Sequence, residues 1–104
     1  MINLSKIAGF DWDKGNIDKS YLKHGITPNE AEQIFLDKHL FFQDDINHSD
    51  VEERFIGIGR TSGDKMLFTA FTARNNKIRI ISARRANIKE RRLYEKKAKE
   101  NSKI

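Results

Sequence analysis

An α+β domain, with two N-terminal helices, an antiparallel sheet of three to four strands and a C-terminal helix, is the fold class that the sequence predicts. Three observations carry this. Apolar residues recur at helical spacing before Asp37. Strand-like runs with short turn signals follow from Leu40 to Ser82. The period turns helical again from Asn87.

Phe10-Asp11-Trp12-Asp13 alternates aromatic and acidic residues, as a short strand or strand-like lead-in does. Ile17, Tyr21 and His24 fall at i, i+4 and i+7, one stripe of a first helix that Gly25 stops. Thr27-Pro28-Asn29-Glu30 reads as a capping box with proline at N1. Ala31, Ile34 and Phe35 continue a second short helix, expected to end near Asp37. Leu40-Phe41-Phe42 is a short apolar strand, ended by a polar, acidic loop from Gln43 to Asp50. Arg54 to Arg60 is strand-like, with Gly57 and Gly59 on one face, which marks a bulge or a close approach by another backbone. Thr61 to Lys65 is a turn, Met66 to Thr72 a strand, Asn75-Asn76 a turn and Ile78 to Ser82 a strand. Short turns imply an antiparallel meander. A last helix runs from about Asn87 to Lys99. Helices are expected on one face of the sheet, with the other at least partly open.

No linker or repeat divides the 104 residues, so residues 1–104 are read as one domain with its core over about 10–95. Such a domain buries one core between two layers and has no second lobe for a deep cofactor cavity. There is no apolar run near the roughly 20 residues of a membrane span, and Met1 to Lys6 has no signal-peptide character. A cytoplasmic protein is expected. The absence of cysteine excludes disulfides, thiolate metal sites and cysteine nucleophiles.

The net charge of +5 conceals an asymmetry. Residues 1–73 carry 8 Lys/Arg against 12 Asp/Glu, whereas residues 74–104 carry 12 against 3. A basic surface concentrates polyanions and exchanges their counterions for Lys/Arg contacts, so RNA is the expected partner. Lys96, Lys97 and Lys99 also read as a solvated helix end. The preceding arginines have the planar fork that suits phosphate.

His24, His39 and His48 lack metal-ligand spacing, and Asp44, Asp45, His48 and Asp50 read as a solvated turn. No phosphate-cradling glycine loop or nucleophile elbow occurs, so no cofactor is expected. The remaining set suits metal-free phosphodiester cleavage, which needs a base for the 2′-hydroxyl, cations for the phosphorane and an acid for the leaving 5′-oxygen. Candidate bases or acids are His24, Glu53, Glu90 and Tyr94. Candidate phosphate ligands are Arg54, Arg60, Arg79, Arg84 and Arg91.

Phe10-Asp11-Trp12-Asp13, Lys23-His24-Gly25-Ile26, His48-Ser49-Asp50 with Glu52-Glu53-Arg54, Gly59-Arg60, Arg79 to Ala86 and Glu90 to Glu95 resemble the BrnT toxin family, in order, over about residues 10 to 95. The Ile-Ser-Ala-Arg-Arg-Ala block followed by Glu-Arg-x-x-Tyr-Glu is the specific part. The resemblance implies a RelE-like ribonuclease fold and the toxin of a bacterial type II toxin–antitoxin pair. It also implies a DNA-binding BrnA-type antitoxin and a hetero-oligomer holding two toxin copies. Two positions depart from the family pattern. Ser20 replaces a common Asn four residues before His24. Asn87 replaces a Thr after the Ala-Arg-Arg-Ala run, and Asn is itself a strong N-cap.

Each site residue has a structural alternative. His24 can cap its helix, and Glu53 and Arg54 can form a charge pair. Arg84 can bridge helix and sheet as readily as bind phosphate, and Tyr94 can be core packing. Arg79 alternates with Ile78 and Ile80, which places it on the face away from the core, where a phosphate ligand belongs. The catalytic set is therefore read as His24, Glu53, Arg79, Arg84 and Tyr94. A metal-independent endoribonuclease that stops translation is the leading function. A non-enzymatic RNA- or partner-binding module acting with the antitoxin as a co-repressor is the alternative.

Overall fold

A computed structural model describes residues 9–11, 24–45 and 53–101. The elements are β1 (Gly9–Phe10), α1 (Pro28–Gln33) continued by a 3-10 turn (Ile34–Leu36), β2 (Phe41–Asp44), β3 (Phe55–Arg60), β4 (Met66–Arg74), β5 (Lys77–Arg85) and α2 (Ile88–Asn101). They form a single five-stranded sheet in the order β1-β5-β4-β3-β2.

The three- to four-stranded antiparallel sheet is corrected in one respect. β2 to β5 are antiparallel, but β1 adds a fifth strand parallel to β5. Two residues are too few to show a strand period, and the Asp11 N–H donating to the Ile78 carbonyl extends the pairing by one residue. Of the two N-terminal helices, the second is present where expected. Thr27 and Glu30 exchange side-chain-to-backbone hydrogen bonds at 3.0 and 3.1 Å, completing the capping box. The first lies outside the described residues (Ile17 and Tyr21 included) except for helical His24, followed by Gly25 at φ +70°. Trp12, Asp13, Ser20, Lys23, His48, Asp50 and Glu52 also lie outside them.

The helices do not share one face. Along β3, alternation turns Phe55, Gly57 and Gly59 to one layer and Ile56, Ile58 and Arg60 to the other. The first layer buries Ile26, Ala31, Ile34, Phe55, Leu67, Phe71, Ile78, Ile80 and Ala83 beneath α1 and the 3-10 turn. The second buries Ile58, Met66, Ala86 and Tyr94, with Phe41, Ile56, Phe68 and Ala98 against them, beneath α2. Because β2, β3 and β4 all carry apolar residues on this second face, α2 must cover it. The close approach expected at the glycines is real: a Cβ on Gly59 would lie 2.9 Å from Ile34 Cβ and 3.2 Å from the Ile34 carbonyl oxygen.

The Asn75-Asn76 turn joins β4 to β5 with both residues at positive φ (52° and 62°), the two-residue turn that matches strand twist. One irregularity follows. Ala70 pairs with Ser82 but Phe71 with Ile80, so Ile81 is an extra residue. The bulge keeps Ile78, Ile80 and Ala83 in the first layer and sets Arg79, Ser82 and Arg84 on the second face.

Candidate nucleic-acid interface

The register assembles part of the second face from three strands. Thr72 pairs with Arg79, and the Phe55–Phe71 pair puts Arg54 next along β3, beside Thr72. Asp45 N–H donates to the Arg54 carbonyl at 2.8 Å, and the Thr72 hydroxyl donates to the Glu53 carbonyl at 2.8 Å, fixing this end of β3. Arg54 and Arg79 are half-buried and flank buried Thr72. The next row up pairs Ala70 with Ser82, both half-buried, and Ile56 with Ala70. Two arginines thus flank Thr72, with Ile56, Ala70 and Ser82 in the next row and Glu53 exposed one residue away.

Arg84 is held differently. Its Nη1 and Nη2 donate to Glu90 Oε1 and Oε2, both at 2.8 Å, and Nη1 also donates to the Arg85 carbonyl at 3.1 Å. Its guanidinium carbon lies 4.2 Å from the centroid of the Phe68 ring. Burial alone would raise the Glu90 carboxyl, but the Arg84 and Asn87 donors outweigh it and hold it below its ordinary value. The Glu90 hydrogen bond raises Arg84, outweighing burial. Asn87 caps α2 as expected: its Oδ1 accepts from Glu90 N–H while Glu90 Oε1 accepts from Asn87 N–H, both at 2.9 Å. One carboxylate therefore caps the helix and fixes Arg84.

Tyr94 is buried, and its hydroxyl donates to Asp37 Oδ2 at 2.7 Å. Burial first, then this hydrogen bond, pushes the phenol up to about 12. Asp37 also accepts from the N–H groups of Arg60 (2.8 Å) and His39 (2.9 Å). Burial raises Asp37, but the Tyr94 hydroxyl and these two N–H groups bring it below its ordinary value. Arg60 pairs with Asp64 at 3.2 Å and lies 5.7 Å from the Tyr94 ring centroid. A groove of about 320 Å³ opens here, lined by Gln33, Leu36, Asp37, Arg60, Thr61 and Ser62.

The structure therefore brings Arg54 and Arg79 together and places Arg60 and Tyr94 in a separate cluster at the opposite end of β3. Arg91 is exposed on α2, three residues before Tyr94. His24 is exposed, and nearby Ile26 packs into the first layer, across the sheet from the arginine row. Sequence reasoning did not find Asp37, whose link to Tyr94 spans 57 positions and has no local pattern. Phe68 and Ser82 were within reach of strand alternation once the bulge was known. Among the described residues no three His, Cys, Asp or Glu side chains converge as metal ligands, and no helix is long and apolar enough to cross a membrane.

Comparison with known proteins gives two findings. The family model for the ribonuclease toxin BrnT of type II toxin–antitoxin systems matches residues 12–90. The crystal structure of the Brucella abortus ribonuclease toxin BrnT superposes with a TM-score of 0.57 at 21% identity, over 76% of this chain and 96% of that one, a likeness of fold. No curated protein matches the sequence.

Proposed function

The chain belongs to the BrnT family of ribonuclease toxins of type II toxin–antitoxin systems, and from that premise we propose that it cleaves RNA on the second face of its sheet, without a metal ion, and so stops translation. The observation that carries this reading is the Arg54–Thr72–Arg79 row: two arginines on one face on either side of a threonine, where a phosphodiester can lie between them. Arginine supplies fixed positive charge and paired donors for the phosphorane, the stabilisation that a metal supplies elsewhere.

In this reading a base removes the 2′-hydroxyl proton, the 2′-oxygen bonds to the adjacent phosphorus, and the bond to the 5′-oxygen breaks as that oxygen takes a proton. The products are a 2′,3′-cyclic phosphate and a 5′-hydroxyl. Glu90 and Tyr94 are bonded to Arg84 and Asp37. We assign the base to Glu53 for its place beside Arg54 at the end of the arginine row. Arg84 and Tyr94 become positioning residues that hold α2, and Arg60 and Arg91 outlying phosphate contacts. His24→Ala then separates an acid at that position from protonation by solvent.

The family implies an antitoxin partner, and a BrnA-type antitoxin is the proposed one. It would bring acidic or amphipathic segments to the arginine row, because desolvated guanidinium groups need counter-charges. Two toxin copies joined by an antitoxin dimer form the proposed assembly.

Purified protein incubated with RNA in EDTA tests the reaction. Cleavage that persists, leaves cyclic phosphate ends and falls at least about a hundredfold in Arg79→Ala is the expected result. Abolition by EDTA, or 3′-hydroxyl products, would overturn it.

A further inference from the structure

We infer that Arg84, stacked on Phe68, is a platform for an unpaired nucleobase and not a phosphate ligand, an inference that rests on the RNA reading above. Arg84 has little donor capacity left for a phosphate: three of its five N–H groups are committed to Glu90 and to the Arg85 carbonyl. The Glu90 carboxylate, only 12% exposed, cancels its charge at 2.8 Å.

What this arrangement leaves is a plane. The fork-to-fork pair fixes the guanidinium in orientation, and its carbon lies over the Phe68 ring, 4.2 Å from the centroid. The Arg84 side chain nevertheless remains 38% exposed. A flat, delocalised and weakly hydrated group, held in place on an aromatic ring, is a surface on which unpaired RNA bases stack.

Its position suits this use. Arg84 and Ser82 are alternate residues on the same face, about 7 Å apart along the strand. Arg79 lies on that face beyond the bulge. Phe68, the partner of Arg84, lies four residue steps along β4 from Thr72, the partner of Arg79, a distance of roughly 13 Å. A single strand whose phosphate meets the Arg54–Arg79 row can therefore lay a nearby base on Arg84, with Ser82 between them as a polar neighbour. The ligand class is an unpaired base of single-stranded RNA.

The test uses the full chain and two 2′-O-methyl oligoribonucleotides, which cannot be cleaved through the 2′-oxygen. One carries all its bases and the other has an abasic central position. Base stacking predicts about tenfold tighter binding of the complete strand. Arg84→Lys, which keeps the charge and removes the plane, should reduce that preference to less than about twofold and leave abasic binding unchanged. An Arg84→Lys protein that weakens both strands equally would identify a phosphate ligand and overturn the inference. Independently of any variant, nuclear Overhauser contacts between base protons and the Arg84 side chain are expected in the wild-type complex, and their absence also overturns it. Wild-type binding without base preference defeats the platform alone. Failure to bind either strand defeats the RNA reading as well.

Discussion

At the scale of single residues, polar pairs hold the elements of this protein in place. Tyr94 and Asp37 form one such pair, and a buried phenol bonded to a carboxylate is a poor proton donor near neutrality. The neutral hydroxyl is favoured in the fold, so its stabilisation is fully present below the ordinary tyrosine value of 10.0 and is lost as pH rises toward about 12. Asp37 behaves oppositely. Its contribution is present above 3.8 and is lost as acid protonates it through its lowered value. Tyr94→Phe should therefore be less stable than wild type by about 2 kcal/mol at pH 8, with the gap closing between pH 10 and 12. Urea midpoints at pH 8, 10 and 11.5 measure it, and a gap independent of pH would contradict the assignment. Arg79 could be placed from sequence because Ile78 and Ile80 flank it. Arg84 could not, since the choice between bridging and binding depended on where Glu90 lay.

At the scale of elements, local signals were readable and pairing was not. The capping box at Thr27, the Asn87 cap and the Asn75-Asn76 turn each rest on chemistry within four residues, and each is present. The parallel β1–β5 pair joins residues nearly 70 positions apart through two residues of strand, so no local pattern announces it. The placement of α2 follows from apolar residues on both faces of β3, a feature obscured by counting only Gly57 and Gly59. Those glycines have a structural duty that can be tested. Gly59→Ala drives a methyl onto Ile34 Cβ and its carbonyl, both tied to the 3-10 turn, and should cost about 1–3 kcal/mol. Gly57→Ala comes within 3.2 Å of Phe71 Cε1 and only into ordinary contact, at 3.7 Å, with Ile34 Cδ1 and Leu40 Cδ1, and should cost less. Thermal unfolding of the two variants compares them directly. Equal stability of Gly59→Ala and wild type would mean that the 3-10 turn yields freely.

At the scale of the whole molecule, the two faces of the sheet divide the work. The first layer is the deeper core, and the second is shared between α2 and the arginine row. The basic C-terminal third was legible from composition alone, but composition could not distinguish arginines in the row from those tied to α2 or exposed on it. Strand register puts Arg79 and Arg84 on the same face, and the Glu90 pair separates them. The most direct measurement is an NMR titration of the labelled protein with a 2′-O-methyl oligoribonucleotide. Cleavage on the second face predicts shifts at Arg54, Thr72, Arg79 and Ser82, with Glu30 and Lys65, which pair at 2.6 Å beside α1, unmoved. Shifts confined to the α1 side, with the arginine row silent, would contradict the account.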